Sequence, residues 1–505
     1  MAKQAGRLIV VSARAPFTGG GENVSRAPGG LVSALLPLMQ RARGTWIAAG
    51  NDQDATSTSD ADFQVIPVSI PSEVRRPWYA GASTGALWPL AHGFVERCRF
   101  RRNEARAYLD VNKRVAEVVF ATAPLRGTVW VHDYQLALVP ALVRARRPDL
   151  TIGFFWHVPW PGPEVFRTLP WSKELVEGLL GADLVGLHVP RYATAFAGAL
   201  QELAIPYEGD GDGLLVANDG RLSRVVACPI GIDVGAWSAL GRDANVQANA
   251  SALRANLGGS RLLLAVDRID YSKGIVERLE AFERMLEQSS EAREHATLVQ
   301  IAVPSREMVP AYRALRESVE AAVGRILGRF GSPTRRPVHF FARSYAAEEL
   351  AAFYLAADVA LVTPMRDGMN LVAFEYVATR PGPHGRLVLS TMTGAADVLR
   401  GAWLVNPYDE DALQATLSAA TLSAETSTDS ARMAELKRVV SEVSLDRWTS
   451  NFMSQLEQAN GLMSHNVVRR EVRPRARRAV GSSLTEPITT WMNDLESVEP
   501  RRRGV

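Results

Sequence analysis

Short apolar runs of three to five residues, rich in Val, Ile and Leu, recur along the chain and stop at a polar residue or a proline. Leu8-Ile-Val-Val11 is the first. Thr128-Val-Trp-Val131, Ile152-Gly-Phe-Phe-Trp156, Leu184-Val-Gly-Leu187 and Val225-Val-Ala-Cys228 follow. A second series comprises Leu262–Val266, Leu298–Ala302, Val338–Phe341, Val359–Val362 and Leu387–Leu389. Runs that are continuous rather than alternating suit strands of a parallel sheet covered on both faces. Polar, helix-like segments separate them, so the pattern predicts an α/β protein built from βα units. The opening shows it in miniature: a strand at Leu8, glycines at Gly19–Gly21 and Gly29-Gly30, then a helix over Leu31–Met39. The stretch Ala236–Asn245 reads as a linker between two doubly wound halves, placing a boundary near residue 240. Ala424–Ser430 reads as a loop between helices, and no short repeat is visible.

Composition narrows the class. A chain of 505 residues has room for two to four domains, and its 47% hydrophobic and 22% charged residues are ordinary for a globular protein. A core of this size needs no staples. The net charge is only +3. Residues 466–505 hold nine arginines against five acids, a net of +4 that leaves −1 for the rest. Such a balance excludes a dedicated nucleic-acid binder, and the tail reads as a disordered basic extension. Cys98 and Cys228 form no Cys-x-x-Cys pair, so neither a zinc site nor a disulfide framework is expected. The first apolar run is too short for a signal peptide, and no run approaches 18 residues. A cytoplasmic protein without a membrane partner is the expectation.

Candidate chemistry gathers at strand ends, where open α/β sheets bind ligands. His132 and Asp133 follow one strand directly. His157 closes the next, before a loop stiffened by Pro159 and Pro161. A strand-end histidine is ordinarily a satisfied core residue; two in neighbouring loops make a site equally plausible. In Asp267-Arg-Ile-Asp-Tyr-Ser-Lys-Gly274, Arg268 and Lys273 share one loop, and only five lysines occur in the chain. A guanidinium fork and a point charge at a helix start suit a diphosphate, although they could equally be salt-bridge partners. In Thr363–Glu375, Asp367 and Gly368 precede Met369, Asn370 and Leu371, which would open a helix and offer free N–H groups to phosphate. Glu375, one to two turns on, could chelate a ribose diol or be an ordinary helix glutamate. There is no clean Gly-x-Gly-x-x-Gly and no Walker A lysine, so hydride transfer and P-loop chemistry lose ground.

At these residues the chain resembles glycosyltransferase family 20. The matching stretches include His132-Asp-Tyr-Gln, Gly153–Pro161, Glu164–Trp171, Pro229–Asp233, Asp267–Gly274, Pro304-Ser-Arg306, Val323–Gly331, Thr363–Tyr376 and Leu404–Tyr408, spread over about 8–460. The resemblance implies two Rossmann-like domains facing across a cleft, the GT-B glycosyltransferase fold. Residues 1–240 would bind the acceptor and 241–445 the nucleotide sugar. A helix over 446–465 would pack back on the N-terminal domain, ahead of the 466–505 tail. It implies retaining transfer of glucose from a nucleotide-glucose to glucose 6-phosphate, giving α,α-trehalose 6-phosphate, with no metal and no cofactor. Arg268 and Lys273 would neutralise the leaving diphosphate. Asp367, Gly368, Met369, Asn370, Leu371 and Gly30 would hold the donor, and Glu375 its ribose. His157 would lie against the donor sugar and Asp133 would hold an acceptor hydroxyl. The leaving phosphate would itself take the acceptor's proton, so no enzymatic base is named.

Arg14, Tyr79, Trp88 and Arg306 match positions that the family uses around the acceptor phosphate and sugar, as cation and hydroxyl donors should. Four departures bear on the acceptor or donor: Ala13, the Trp46-Ile-Ala-Ala49 stretch, Ala82-Ser-Thr84, and Phe374 before Glu375. His188-Val-Pro-Arg-Tyr192 looks like the branch whose acceptor is glycerol 3-phosphate. Another phosphorylated acceptor, a pseudo-sugar transfer, and an inactive sugar-phosphate-binding regulator therefore stay open. So do the donor base, a homo-oligomer and the role of the tail.

Overall fold

The computed structural model describes residues 7–18, 25–26, 30–49, 62–211, 213–218, 220–257, 261–464 and Trp491. The chain divides into two compact units. The first joins the described residues up to Cys228 with those from Thr449 onward, and the second spans Pro229–Trp448.

Beside a short antiparallel pair of Phe17–Thr18 with Ser25–Arg26, the first unit holds one nine-stranded sheet. Its strands are β1 (Leu8–Ser12), β2 (Thr45–Ala48), β3 (Gln64–Pro67), β4 (Thr128–His132), β5 (Thr151–Phe155) and β6 (Leu184–Leu187), then β7 (Tyr207–Asp210), β8 (Gly213–Asn218) and β9 (Arg221–Ala227). They lie in the order β3-β2-β1-β4-β5-β6-β9-β8-β7. The first seven in that order run parallel, and β8 and β7 add an antiparallel edge. The 3-2-1-4-5-6 start is the doubly wound order, whose switch point between β1 and β4 opens a crevice at their carboxyl ends. All five residues of β5 are buried, as a strand covered on both faces requires.

The helix Leu445–Ser464 belongs to the first unit from Thr449 on. Phe452 stacks on Trp130 of β4 at 4.5 Å with 8° between ring planes, and meets Phe155 of β5 edge-on at 5.7 Å. Gly153 and Gly186 make room for it. A Cβ on either would come within 2.8 Å of the Phe452 ring.

The second unit repeats the order: β10 (Arg261–Arg268), β11 (Ala296–Val303), β12 (Val338–Phe341), β13 (Val359–Val362), β14 (Arg386–Ser390) and β15 (Trp403–Val405), arranged β12-β11-β10-β13-β14-β15, all parallel. Helices such as Ile275–Gln288 and Pro310–Phe330 bury Leu279, Phe282, Met285, Val319 and Ile326 against it.

Two readings need correction. Ala236–Asn245 is no open linker: it contributes to helices Val234–Arg242 and Ala244–Leu257, the first capped by Asp233, whose carboxylate accepts the Ala236 N–H at 2.9 Å. Gly241 there packs against the backbone of Thr379, so the segment is part of the second unit. Of Ala424–Ser430, the last four residues are already helical, because Thr426 and Asp429 form a reciprocal capping box. The tail from 466, expected to be disordered, lies outside the described residues apart from Trp491, whose ring stacks on Trp171 at 5.8 Å. The glycines Gly19–Gly21 and Gly29 also lie outside them.

Candidate active site

In the first unit the expected polar residues stand at the carboxyl ends of β1, β4 and β5. Ser12 ends β1, and its hydroxyl donates to the Arg14 carbonyl at 2.6 Å while accepting from the Trp46 indole at 2.8 Å. Trp46 thus shapes the loop that presents Arg14. The exposed Arg14 guanidinium donates to the Tyr79 hydroxyl at 2.7 Å. Tyr79 projects from Pro77–Leu87, an eleven-residue π-helix; such windings ordinarily last a single turn and favour functional sites. Trp88 follows it, buried and 4.2 Å from His92 and 6.0 Å from Tyr134 between ring centroids.

Asp133 has φ 72°, ψ 159°, a conformation that costs a non-glycine residue energy. Its carboxylate accepts the Tyr134 N–H at 2.9 Å, and its own N–H donates to the Phe155 carbonyl. Among the described residues six non-glycines have positive φ, and three are Asp133, Arg306 and Asn370. Backbone strain therefore coincides with candidate chemistry. His157 keeps an exposed edge, while its Nε2 lies 3.1 Å from Nδ1 of the fully buried His132. Burial pushes His132 down to about 3 and holds His157 well below the usual imidazole range. Both rings are neutral at pH 7.

In the second unit Arg268 ends β10 and a tight turn, Tyr271–Lys273, follows. Asp270 caps that turn by accepting the Ser272 N–H at 3.1 Å. Lys273 is buried, and its ammonium lies 2.5 Å from a carboxylate oxygen of Asp367, which also accepts from the Asn370 amide at 3.0 Å. Lys273 was expected to face a diphosphate directly; in the structure described here it is paired with Asp367. Asn370, with φ 66°, turns the chain into helix Leu371–Thr379. The Met369 carbonyl accepts from the Thr393 hydroxyl and the Ala395 N–H, fixing the loop from behind. Gly368 is approached closely by Gly394, where no side chain would fit. Glu375 lies one turn into the helix, accepts from the Tyr354 hydroxyl at 2.8 Å, and is pushed up to about 7 by loss of water.

One residue of the candidate site escaped sequence reasoning. Arg278 is fully buried and donates to Asp267, Gln300, Thr363 and the Lys273 carbonyl at 2.6–3.1 Å. It ties the Arg268–Lys273 loop to the strand that leads to Asp367. Its signal was an arginine on the apolar face of a helix, in phase with Ile275, Leu279 and Phe282. Arg306, anticipated from the sequence at the acceptor phosphate, engages Asp270 at 3.1 Å and Tyr312 at 2.5 Å through its guanidinium, and so also braces the Lys273 turn. Gly30 opens the helix Gly30–Ala42.

The sequence model of glycosyltransferase family 20 matches residues 6–458. The chain belongs to that family. A trehalose-6-phosphate synthase of Mycobacterium marinum is 44% identical over 445 residues, covering 85% of this chain and 89% of the relative. Among solved structures, an α,α-trehalose-phosphate synthase (UDP-forming) from Burkholderia vietnamiensis matches with a TM-score of 0.84 at 34% identity, covering 91% of this chain and 98% of that one. The corresponding Burkholderia xenovorans enzyme, in complex with glucose-6-phosphate, matches at 0.82 and 32%, covering 89% and 100%. The family 20 chain is thus a glycosyltransferase with two parallel-sheet Rossmann-like domains of the GT-B type. Among the described residues no group of three His, Cys, Asp or Glu side chains is placed to hold a metal, and no helix is long and apolar enough to cross a membrane.

Proposed function

We propose that this chain is an α,α-trehalose-phosphate synthase that moves glucose, with retention, from UDP-glucose to glucose 6-phosphate in the cytoplasm, using neither metal nor cofactor. The observation that carries the proposal is the Lys273–Asp367–Asn370 cluster beside Arg268 at a helix N-terminus, in a family member whose relatives include a UDP-forming enzyme bound to glucose-6-phosphate. Negative charge grows on the leaving diphosphate as the glycosidic bond breaks. Arg268, Lys273 and the N–H groups of the Leu371 helix are preorganised to receive it. Asp367 pairs with Lys273 and offers its carboxylate to sugar hydroxyls. Glu375 takes the ribose diol. Arg14, Tyr79, Trp88 and Arg306 hold the acceptor phosphate and ring, and Asp133 an acceptor hydroxyl. His132 and His157, held so far below the usual range, are poor proton acceptors. They fit hydroxyl recognition, with the proton passing to the leaving phosphate on the same face.

A second acceptor is favoured by Ala49 and Ala82, which are buried where the family pattern has larger side chains. Incubating the protein with UDP-, GDP- or ADP-glucose and either glucose 6-phosphate or glycerol 3-phosphate, with products read by mass, decides between them. Turnover with glycerol 3-phosphate but not glucose 6-phosphate would overturn the proposal.

A further inference from the structure

We propose that His132 is a positioning residue: its Nδ1 commits Nε2 of His157 to the protein, locks His157 in one tautomer, and makes Nδ1 of His157 the nitrogen that meets a donor-sugar hydroxyl. The inference rests on the reading that His157 lies against the donor sugar.

The two rings come together because β4 and β5 are adjacent and parallel, with His132 in register with Phe155, two residues before His157. The rings are 5.4 Å apart with 25° between planes. His132 is fully buried on the last position of β4, and the Trp130 ring lies 4.5 Å from it. Trp130 is itself clamped by Phe452. The partner ring is held from the other side as well. Nε2 of His188 lies 3.0 Å from the His157 carbonyl, and the Phe155 ring lies 4.6 Å from His157. Different neighbours thus fix the backbone and ring of His157, and His132 addresses its Nε2.

A hydrogen bond between two neutral imidazoles contains one hydrogen, so one ring donates and the other accepts. The tautomer of each ring then sets the tautomer of the other. Burial keeps both rings neutral, so protonation does not blur the choice at working pH. A sugar hydroxyl must meet a defined donor or acceptor. An imidazole that exchanged between tautomers would present the wrong one for part of the time.

The test uses the full-length protein labelled with ¹⁵N-histidine, of which there are eight. In the unaltered protein the two ring nitrogens of His157 should resolve as one protonated and one bare, unchanged from pH 6 to 8. His132→Phe keeps a buried ring without nitrogens. It should average the two His157 signals and lower kcat roughly 10–100-fold, the usual cost of losing a partner that orients a functional imidazole. The acceptor KM should not move. His132→Asn places an amide near the lost Nδ1 and should recover about tenfold or more of that loss. His295→Gln, at an exposed histidine, serves as the silent control. A single His157 tautomer that survives in His132→Phe, or kcat within twofold of the unaltered protein, overturns the proposal. Should His132→Phe not fold, averaged His157 signals in the unaltered protein overturn it alone. Full kcat and donor KM in His157→Phe would refute the donor-sugar reading itself, whatever tautomer the spectra show.

Discussion

Lowering the pH from 8 to 6 should weaken donor binding through one carboxyl group. Glu375 is pushed up to about 7 because its surroundings exclude water, and the Tyr354 hydroxyl at 2.8 Å offsets only part of that. Simple titration about a midpoint of 7 leaves roughly 90% ionised at pH 8, half at pH 7 and about 9% at pH 6. A carboxylate can accept from both hydroxyls of a ribose diol, whereas the neutral acid cannot. The donor KM should therefore rise about tenfold across that range, while kcat at saturating donor stays nearly level. Glu375→Gln should show a raised KM with no slope, and it subtracts any other titration in the site. Tyr354→Phe removes the bond that favours the charged form, so the inflection should move to higher pH. Initial rates of nucleotide release at pH 6, 7 and 8, at constant ionic strength, give the result. A wild-type KM that is flat, or a slope retained in Glu375→Gln, would refute the reasoning. Stability supplies a second check. The folded carboxyl holds its proton more tightly than the unfolded one, so its contribution is complete below about 4.5 and is lost as pH rises through 7. Glu375→Gln should melt higher than the unaltered protein at pH 8, with the gap closing in acid.

Lys273→Ala should reduce kcat by about 10²–10³ without changing the circular dichroism spectrum, since it removes charge aimed at the leaving group. Arg306→Lys should raise the acceptor KM about tenfold and disturb the donor side as well through the Lys273 turn, because one ammonium cannot reproduce the fork now shared between Asp270 and Tyr312. Phe452→Ala should cost about 3–5 kcal/mol in urea unfolding, since Gly153 and Gly186 leave a cavity that cannot close. Removing residues from 466 onward should keep kcat within about twofold, as expected for surface changes away from the chemistry. Tryptophan fluorescence should nevertheless change through loss of the Trp171–Trp491 stack.

The parallel strands could be read directly because burial on both faces leaves an unbroken apolar run, as in Leu184–Leu187 and Val359–Val362. The edge strand β7 escaped because Tyr207-Glu-Gly-Asp210 carries no such run, and β8 was passed over although Leu214–Ala217 forms one. Pro77–Leu87 was invisible for another reason: its i→i+5 winding matches neither the helical nor the strand period. At the candidate site, charges stated their own chemistry. Arg268, Lys273, Asp367 and Glu375 stand at strand ends and at a helix start, where spacing alone suggests phosphate and ribose. Pairings across the fold did not. His132 reaches His157 through the register of two strands. Arg306 meets Asp270 only because β10 and β11 run side by side, in register at Arg268 and Val303. Arg278 hid by occupying an apolar phase of its helix while making four polar contacts.

The packing of Phe452 onto Trp130 also governs the order in which the chain can mature on the ribosome. The first unit needs residues that follow Trp448, so Pro229–Trp448 must be translated before its sheet is covered. At about 5–20 residues per second that wait is on the order of 10–40 s. Throughout it, the aromatic surface of β4 and β5 is without the helix that covers it. The second unit is continuous and needs nothing beyond its own end. The later half of the message is therefore the first to finish, and the nascent amino-terminal half keeps its aromatic face uncovered the longest.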